Sequence, residues 1–116
     1  MLVMCSESDI TIEMAEKLYE QVKTEQELAD IFSVVSNKFW WVEDNVYDYE
    51  EGTPAYIQAY EITDRWGNLM DCIESDIFDI LKNEGVIIPD KGRIVVLEPF
   101  MKRNGYFDGD GWWIKE

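Results

Sequence analysis

The chain has 116 residues, 47% of them hydrophobic and 14% aromatic, with a formal net charge of −15 and no histidine. That length and apolar content specify one domain, residues 1–116, with a core of its own rather than a disordered acidic chain. The lack of histidine removes Ser–His and Cys–His nucleophile pairs, histidine zinc sites and histidine proton shuttling, and the charge opposes direct binding of nucleic acid.

The first 81 residues hold basic side chains only at Lys17, Lys23, Lys38 and Arg65, against 19 acidic ones, which accounts for the whole net charge. From Lys82 to Glu116 six basic and six acidic residues cancel.

The opening MLVMCSESD has too short an apolar stretch and no basic region for a secretory signal. Met4 is too large for the residue before the cysteine of a lipoprotein processing box. No long apolar run suggests a membrane span, so a cytoplasmic location is expected. Cys5 and Cys72 lie far apart without a CxxC, and free thiols are the simplest reading; a bridge between them stays open.

Thr11 to Val22 reads as a short helix capped by Thr11, with Met14, Leu18 and Val22 as its apolar stripe. Thr24-Glu25-Gln26-Glu27 matches a capping box and opens a second helix. Its apolar face is Leu28, Ile31, Phe32, Val35 and Phe39, and it is expected to decay between Trp40 and Glu43. Residues 44–53 read as a loop. Thr53-Pro54 starts a third helical pattern that runs to Glu84, with Tyr56, Tyr60, Trp66, Met70, Ile73, Ile77, Ile80 and Leu81 on its stripe. Gly67 marks a place for a kink or break, and Gly85 supplies the stop.

Beyond Gly85, Val86 to Pro89 and Arg93 to Leu97 read as two strands around an Asp90-Lys91-Gly92 turn. Glu98-Pro99 can start a short helix ending before Gly105. Tyr106-Phe107 and Trp112-Trp113-Ile114 read as a second hairpin, with one of the two tryptophans facing the core. The expected fold is α+β and mostly helical: three N-terminal helices, the third long, then a small C-terminal region containing a β-hairpin.

Four features are candidates for function. The segment from Phe39 to Asp64 has seven carboxylates, seven aromatics and no basic residue. Carboxylates along a surface can imitate phosphates, and aromatics between them supply contact area, so this segment reads as a docking surface for a basic protein groove. The partner-binding residues expected are Glu43, Asp44, Tyr47, Asp48, Tyr49, Glu50, Glu51 and Asp64, with Tyr47 and Tyr49 as exposed anchors. The competing reading is a solvated acidic loop whose aromatics lie in the core. A second candidate is the acidic face of the third helix: Asp64, Asp71, Glu74, Ser75 and Asp79.

The third candidate is Lys82 to Arg93 with its predicted hairpin. LKNEG followed by VIIPDKGRIVVL resembles the recognition helix and wing of winged-helix domains. That resemblance implies a helix in the major groove and a wing on the backbone. Glu74, Asp76 and Asp79 against Lys82 alone repel DNA there, so a winged-helix shape without DNA reading is the expectation. The fourth candidate, Asp108-Gly109-Asp110-Gly111, looks like part of a calcium loop, but Tyr106 falls at the first ligand position and a hairpin turn accounts for it.

No nucleophile, phosphate-cradling loop or metal-ligand spacing is present, so no catalytic, cofactor or metal residue is assigned and no enzyme is expected. The function expected is a non-enzymatic acidic binding protein, a nucleic-acid mimic that inhibits a basic nuclease, repressor or defence complex. In size and charge the chain is similar to small acidic inhibitors of phage and mobile elements, many anti-CRISPR proteins among them, without a shared motif. Two alternatives stay open. One is a winged-helix-like regulator with Lys91, Arg93, Lys102 and Arg103 on phosphates. The other is an immunity protein against a basic toxin. Oligomeric state is open as well.

Overall fold

A computed structural model describes residues 10–46, 48–87, 93–109 and 112–115. These form α1 (Ile12–Glu20), α2 (Glu25–Val46), α3 (Pro54–Asn83), α4 (Arg93–Arg103), β1 (Tyr106–Gly109) and β2 (Trp112–Lys115). The fold is mostly helical α+β, with one antiparallel pair of strands at its C-terminal end.

Thr11 caps α1 as expected, its hydroxyl accepting from the Met14 N–H at 3.2 Å. The packing face differs from the expected stripe. Ile12 and Ala15 are buried, with Tyr19 and Val22 packed partly against the core, whereas Met14 and Leu18 are exposed. Ile12, Ala15, Tyr19 and Val22 follow one another at helical spacing, and Ala15 is small enough to bring α1 close to its neighbours. Arg65 of α3 reaches across to Glu16 at 2.8 Å and Glu13 at 3.2 Å, and the Tyr19 hydroxyl donates to Asp76.

The capping box forms. The Glu27 N–H donates to the Thr24 hydroxyl, and the Thr24 N–H donates to the Glu27 carboxylate, both at 3.1 Å. The helix does not decay at Trp40 but continues to Val46. Leu28, Phe32, Val35, Phe39, Val42 and Val46 form one unbroken apolar seam, and Val46 is buried. A short connection returns the chain into α3, which packs antiparallel on α2.

At 1.5 Å per residue the 30 residues of α3 extend about 45 Å, close to the 47 Å long dimension of the molecule. Gly67 does not break it. A Cβ there would lie 3.0 Å from the Phe39 ring, so the glycine lets the two helices approach at that point. The core face of α3 is Thr63, Trp66, Leu69, Ile73, Ile77 and Leu81. Gly85, at φ +86°, ends it in a Schellman turn, with the Gly85 N–H on the Lys82 carbonyl and the Val86 N–H on the Leu81 carbonyl.

The expected wing does not form. Arg93 to Leu97, read as its second strand, is the first part of α4, and Val86 and Ile87 are exposed and in no strand. Ile88 to Gly92 lie outside the described residues. The physical reason lies further along: Leu97, Phe100, Met101 and Asn104 are buried at helical spacing, and that packing overrides the strand preference of Ile-Val-Val. Pro99, expected at the start of a short helix, sits inside α4, where its missing N–H leaves one carbonyl a turn earlier without its helical bond.

The second hairpin forms as expected, with Tyr106 opposite Lys115 and Asp108 opposite Trp113. It is held against α2 by polar contacts. The buried Asn37 amide donates to the Trp113 carbonyl at 3.0 Å and accepts from the Trp113 N–H at 2.9 Å, doing what a neighbouring strand would do. The Tyr106 hydroxyl donates to Asp30 at 2.6 Å, and Lys115 and Gln26 donate to the same carboxylate oxygen. Arg103 grips Glu25 of α2 and Glu84 beyond α3. The charge-neutral C-terminal third thus completes the core with Leu97, Phe100, Met101 and Tyr106 and bolts itself to the first turns of α2.

Candidate functional site

The end of the α2–α3 hairpin is where the acidic segment lies. Glu43 and Asp44 ride on the last turns of α2, Asp48 to Glu51 lie in the connection, and Asp64 is on α3. The Phe39–Gly67 contact sets the register of the two helices. Asp64 lies one turn from Gly67 towards the connection and Glu43 one turn from Phe39, so both stand at the same height. Asp44, Asp48, Tyr49, Glu50, Glu51 and Asp64 are exposed and Glu43 is half-buried. Tyr47, named as an anchor, lies outside the described residues. Tyr49, the other, is 48% exposed.

Local hydrogen bonds fix the connection. The Asp48 and Tyr49 N–H groups bond back to Asn45 and Val46. The Thr53 hydroxyl donates to the Glu50 carbonyl at 2.7 Å and accepts from the Tyr56 N–H at 3.2 Å, so one side chain closes the turn and caps α3. Gly52, at φ +87°, supplies the left-handed residue that this turn needs. Glu50 and Glu51 are thereby held next to the positive end of the α3 dipole, a favourable place. Glu43 and Asp44 are not so placed. They lie near the negative end of α2, whose last turn has no basic residue.

Four cations are engaged away from the acidic segment. Arg65 serves α1, Arg103 serves Glu25 and Glu84, Lys102 pairs with Glu98 and Lys115 with Asp30. Hydrogen bonds from Arg103 hold Glu25 below the ordinary carboxylate range, helped by Asn104. Glu43, Asp44, Asp48, Glu50, Glu51, Glu61 and Asp64 take part in no ion pair among the described residues.

Apolar side chains are interleaved with these carboxylates, Ile57 and Ile62 in addition to the segment's aromatics. Trp40, Trp41, Ile57, Tyr60 and Ile62 are all exposed by a third or more. Tyr60, placed on the core stripe above, is 51% exposed: it lies with Ile57 and Asp64 on the solvent face. The signal was available. Adjacent Trp40 and Trp41 point about 100° apart on a helix, so both reach the core only where the buried face is wide. Ile57, Tyr60 and Asp64, spaced three and four apart, make a face of their own.

Among the described residues, the core seam of α2 and α3 is open where it passes the start of α1. A cleft of about 590 Å³ lies there, lined by Trp41, Val42, Ile62 and Trp66 together with Glu13, Lys38, Glu61 and Arg65. The Lys38 ammonium lies 4.8 Å from the centre of the Trp41 ring.

The second candidate face is also exposed. Glu61, Asp64, Asp71, Ser75 and Asp79 face solvent on one side of α3, with Glu74 half-buried beside them. From Glu61 to Asp79 this line of carboxylates runs about 27 Å, some eight phosphate steps of one DNA strand. No protein-family model, curated protein or solved structure matches the chain.

The other candidates fare differently. Lys102 and Arg103, which the winged-helix reading needs on phosphates, are occupied in ion pairs, and Lys91 lies outside the described residues. Asp108 and Gly109 belong to β1 while Asp110 and Gly111 lie outside the described residues. Among the described residues no group of three or more His, Cys, Asp or Glu is placed to hold a metal, and no helix is long and apolar enough to cross a membrane. Cys72 is an exposed free thiol, and Cys5 lies outside the described residues.

Proposed function

We propose that this protein is a non-enzymatic binding protein that presents the end of its α2–α3 hairpin to a basic surface, as a nucleic-acid mimic. The observation that carries the reading is the coincidence, on one end of one hairpin, of seven carboxylates without an internal cation and six exposed large apolar side chains. A purely solvated acidic loop needs no exposed Trp40, Trp41 or Tyr60. A buried core segment has no use for uncompensated charge. A docking surface for a Lys- and Arg-lined groove uses both: the charges steer and orient, and the aromatics supply the desolvated contact.

The mechanism is competition. The carboxylates take the Lys and Arg side chains of a nuclease, repressor or defence complex that would otherwise hold phosphates. The line from Glu61 to Asp79 lengthens the imitation along α3. An immunity protein against a basic toxin works by the same physics with a different partner.

The test is cleavage by basic nucleases and Cas-type effectors with the protein added. Inhibition is expected to be dose-dependent, relieved by excess nucleic acid, and lost in D48N/E50Q/E51Q. Full inhibition by that triple variant, or inhibition indifferent to competing nucleic acid, contradicts the reading.

A further inference from the structure

We propose that Glu13 and Glu16 of α1 are positioning residues for the docking surface: they draw Arg65 to themselves and so keep Glu61 uncompensated. This rests on the docking surface proposed above and concerns how its charge is maintained. Arg65 is the only basic residue between Lys38 and Lys82. Glu61 lies four residues before it on α3, and a carboxylate four residues ahead of a basic side chain is the favoured order for an ion pair along one helix face. Of the positions three and four residues from Arg65 in either direction, Glu61 is the only acidic one. Glu13, Glu61 and Arg65 also line one cleft.

That local pair does not form. The Arg65 guanidinium reaches across to α1 instead, with Nη2 2.8 Å from Glu16 and Nη1 3.2 Å from Glu13. Glu61 takes part in no ion pair among the described residues. Two carboxylates on α1 therefore outcompete the one that α3 itself offers. Ile12 and Ala15 in the core and the Tyr19 hydroxyl on Asp76 hold α1 in place independently of Arg65, so packing brings Glu13 and Glu16 to the guanidinium. The three side chains are all substantially exposed, so each pairing is weak and the choice between partners is easily shifted. Without the two carboxylates of α1, the pair with Glu61 is the one left to Arg65 along its own helix, and the docking surface loses a charge.

The experiment is a mutant cycle read by calorimetric titration with octalysine at low salt. In the unaltered protein, E61Q is expected to weaken binding about twofold to threefold, the effect of one exposed charge. In E13Q/E16Q the same substitution is expected to leave the affinity unchanged, because Arg65 already neutralises Glu61. In E13Q/E16Q/R65Q the loss is expected to return. Comparing E61Q within each background cancels the charges removed from α1 and any loosening of that helix. The same loss in the unaltered protein and in E13Q/E16Q overturns the inference and leaves the docking surface standing, and so does a loss that stays absent once Arg65 is replaced. No effect of E61Q in the unaltered protein overturns the inference too. Octalysine that binds none of these proteins overturns both readings. If E13Q/E16Q does not fold, E16Q alone leaves Glu13 to hold Arg65 and is expected to reduce the E61Q loss in part; an undiminished loss there overturns the inference in the same way.

Discussion

Asp30 shows how much one side chain can organise. It lies between α2 and the C-terminal hairpin and accepts from Tyr106, Gln26 and Lys115. Burial pushes its carboxyl up, but the hydrogen bonds from Tyr106, Gln26 and Lys115 outweigh that and hold it below its ordinary value of 3.8. The same contact, with burial, pushes the Tyr106 hydroxyl up, so it remains a donor at any ordinary pH. A carboxylate with a depressed folded value adds stability above its unfolded value and loses it as pH falls through the folded one. D30N is expected to cost about 1–3 kcal/mol near neutrality, because it removes a charge-assisted acceptor from a packed site. Denaturant melts of both proteins across the acid range check this. Their difference should be full above the ordinary value of 3.8 and fade below it. A constant difference contradicts the role given to Asp30.

At the scale of elements, the hairpin end carries charge against the interest of its own helix. Glu43 and Asp44 sit near the negative end of α2 with no basic residue in its last turn. Each costs about 0.3–1 kcal/mol at low ionic strength. E43Q/D44N is therefore expected to raise stability by roughly that amount per site while weakening binding to a cationic partner. Thermal melts beside binding curves check both signs at once; a destabilised variant contradicts the account.

Gly67 makes a complementary prediction. Valine there meets the Phe39 ring at a point already at the contact limit for a single Cβ, so G67V should cost about 1–3 kcal/mol by overpacking. An unchanged denaturant midpoint would mean that the helices do not meet there.

These elements also mark what the sequence made legible. Caps are local chemistry, so Thr11, the Thr24–Glu27 box, Thr53-Pro54 and Gly85 were readable in place. The face a helix buries is decided by its neighbours, so Met14 and Leu18 were misplaced on the core side while Ala15 was overlooked. The Ile-Val-Val of α4 reads as strand until the downstream spacing of Phe100, Met101 and Asn104 is weighed. At the candidate site the carboxylates were visible as a run without cations. The exposure of Trp40, Tyr60 and Ile62 follows from how far α2 and α3 project past α1, which no local pattern contains.

The whole molecule separates its charge into two economies. In one, scarce cations bind the elements together: Arg65 ties α3 to α1, Arg103 ties α4 to α2 and to the residue after α3, and Lys115 ties β2 to α2. In the other, the hairpin end keeps its carboxylates uncompensated and surrounds them with aromatics. The net charge alone predicts weak attraction of any cation to every face. The arrangement predicts attraction to one end. An amide-resolved NMR titration with octalysine at low salt distinguishes the two most directly. Shifts concentrated between residues 40 and 64, and fading as salt shortens the Debye length below about 10 Å, are the predicted result. Shifts spread evenly over the whole molecule, or centred away from the hairpin end, would contradict it.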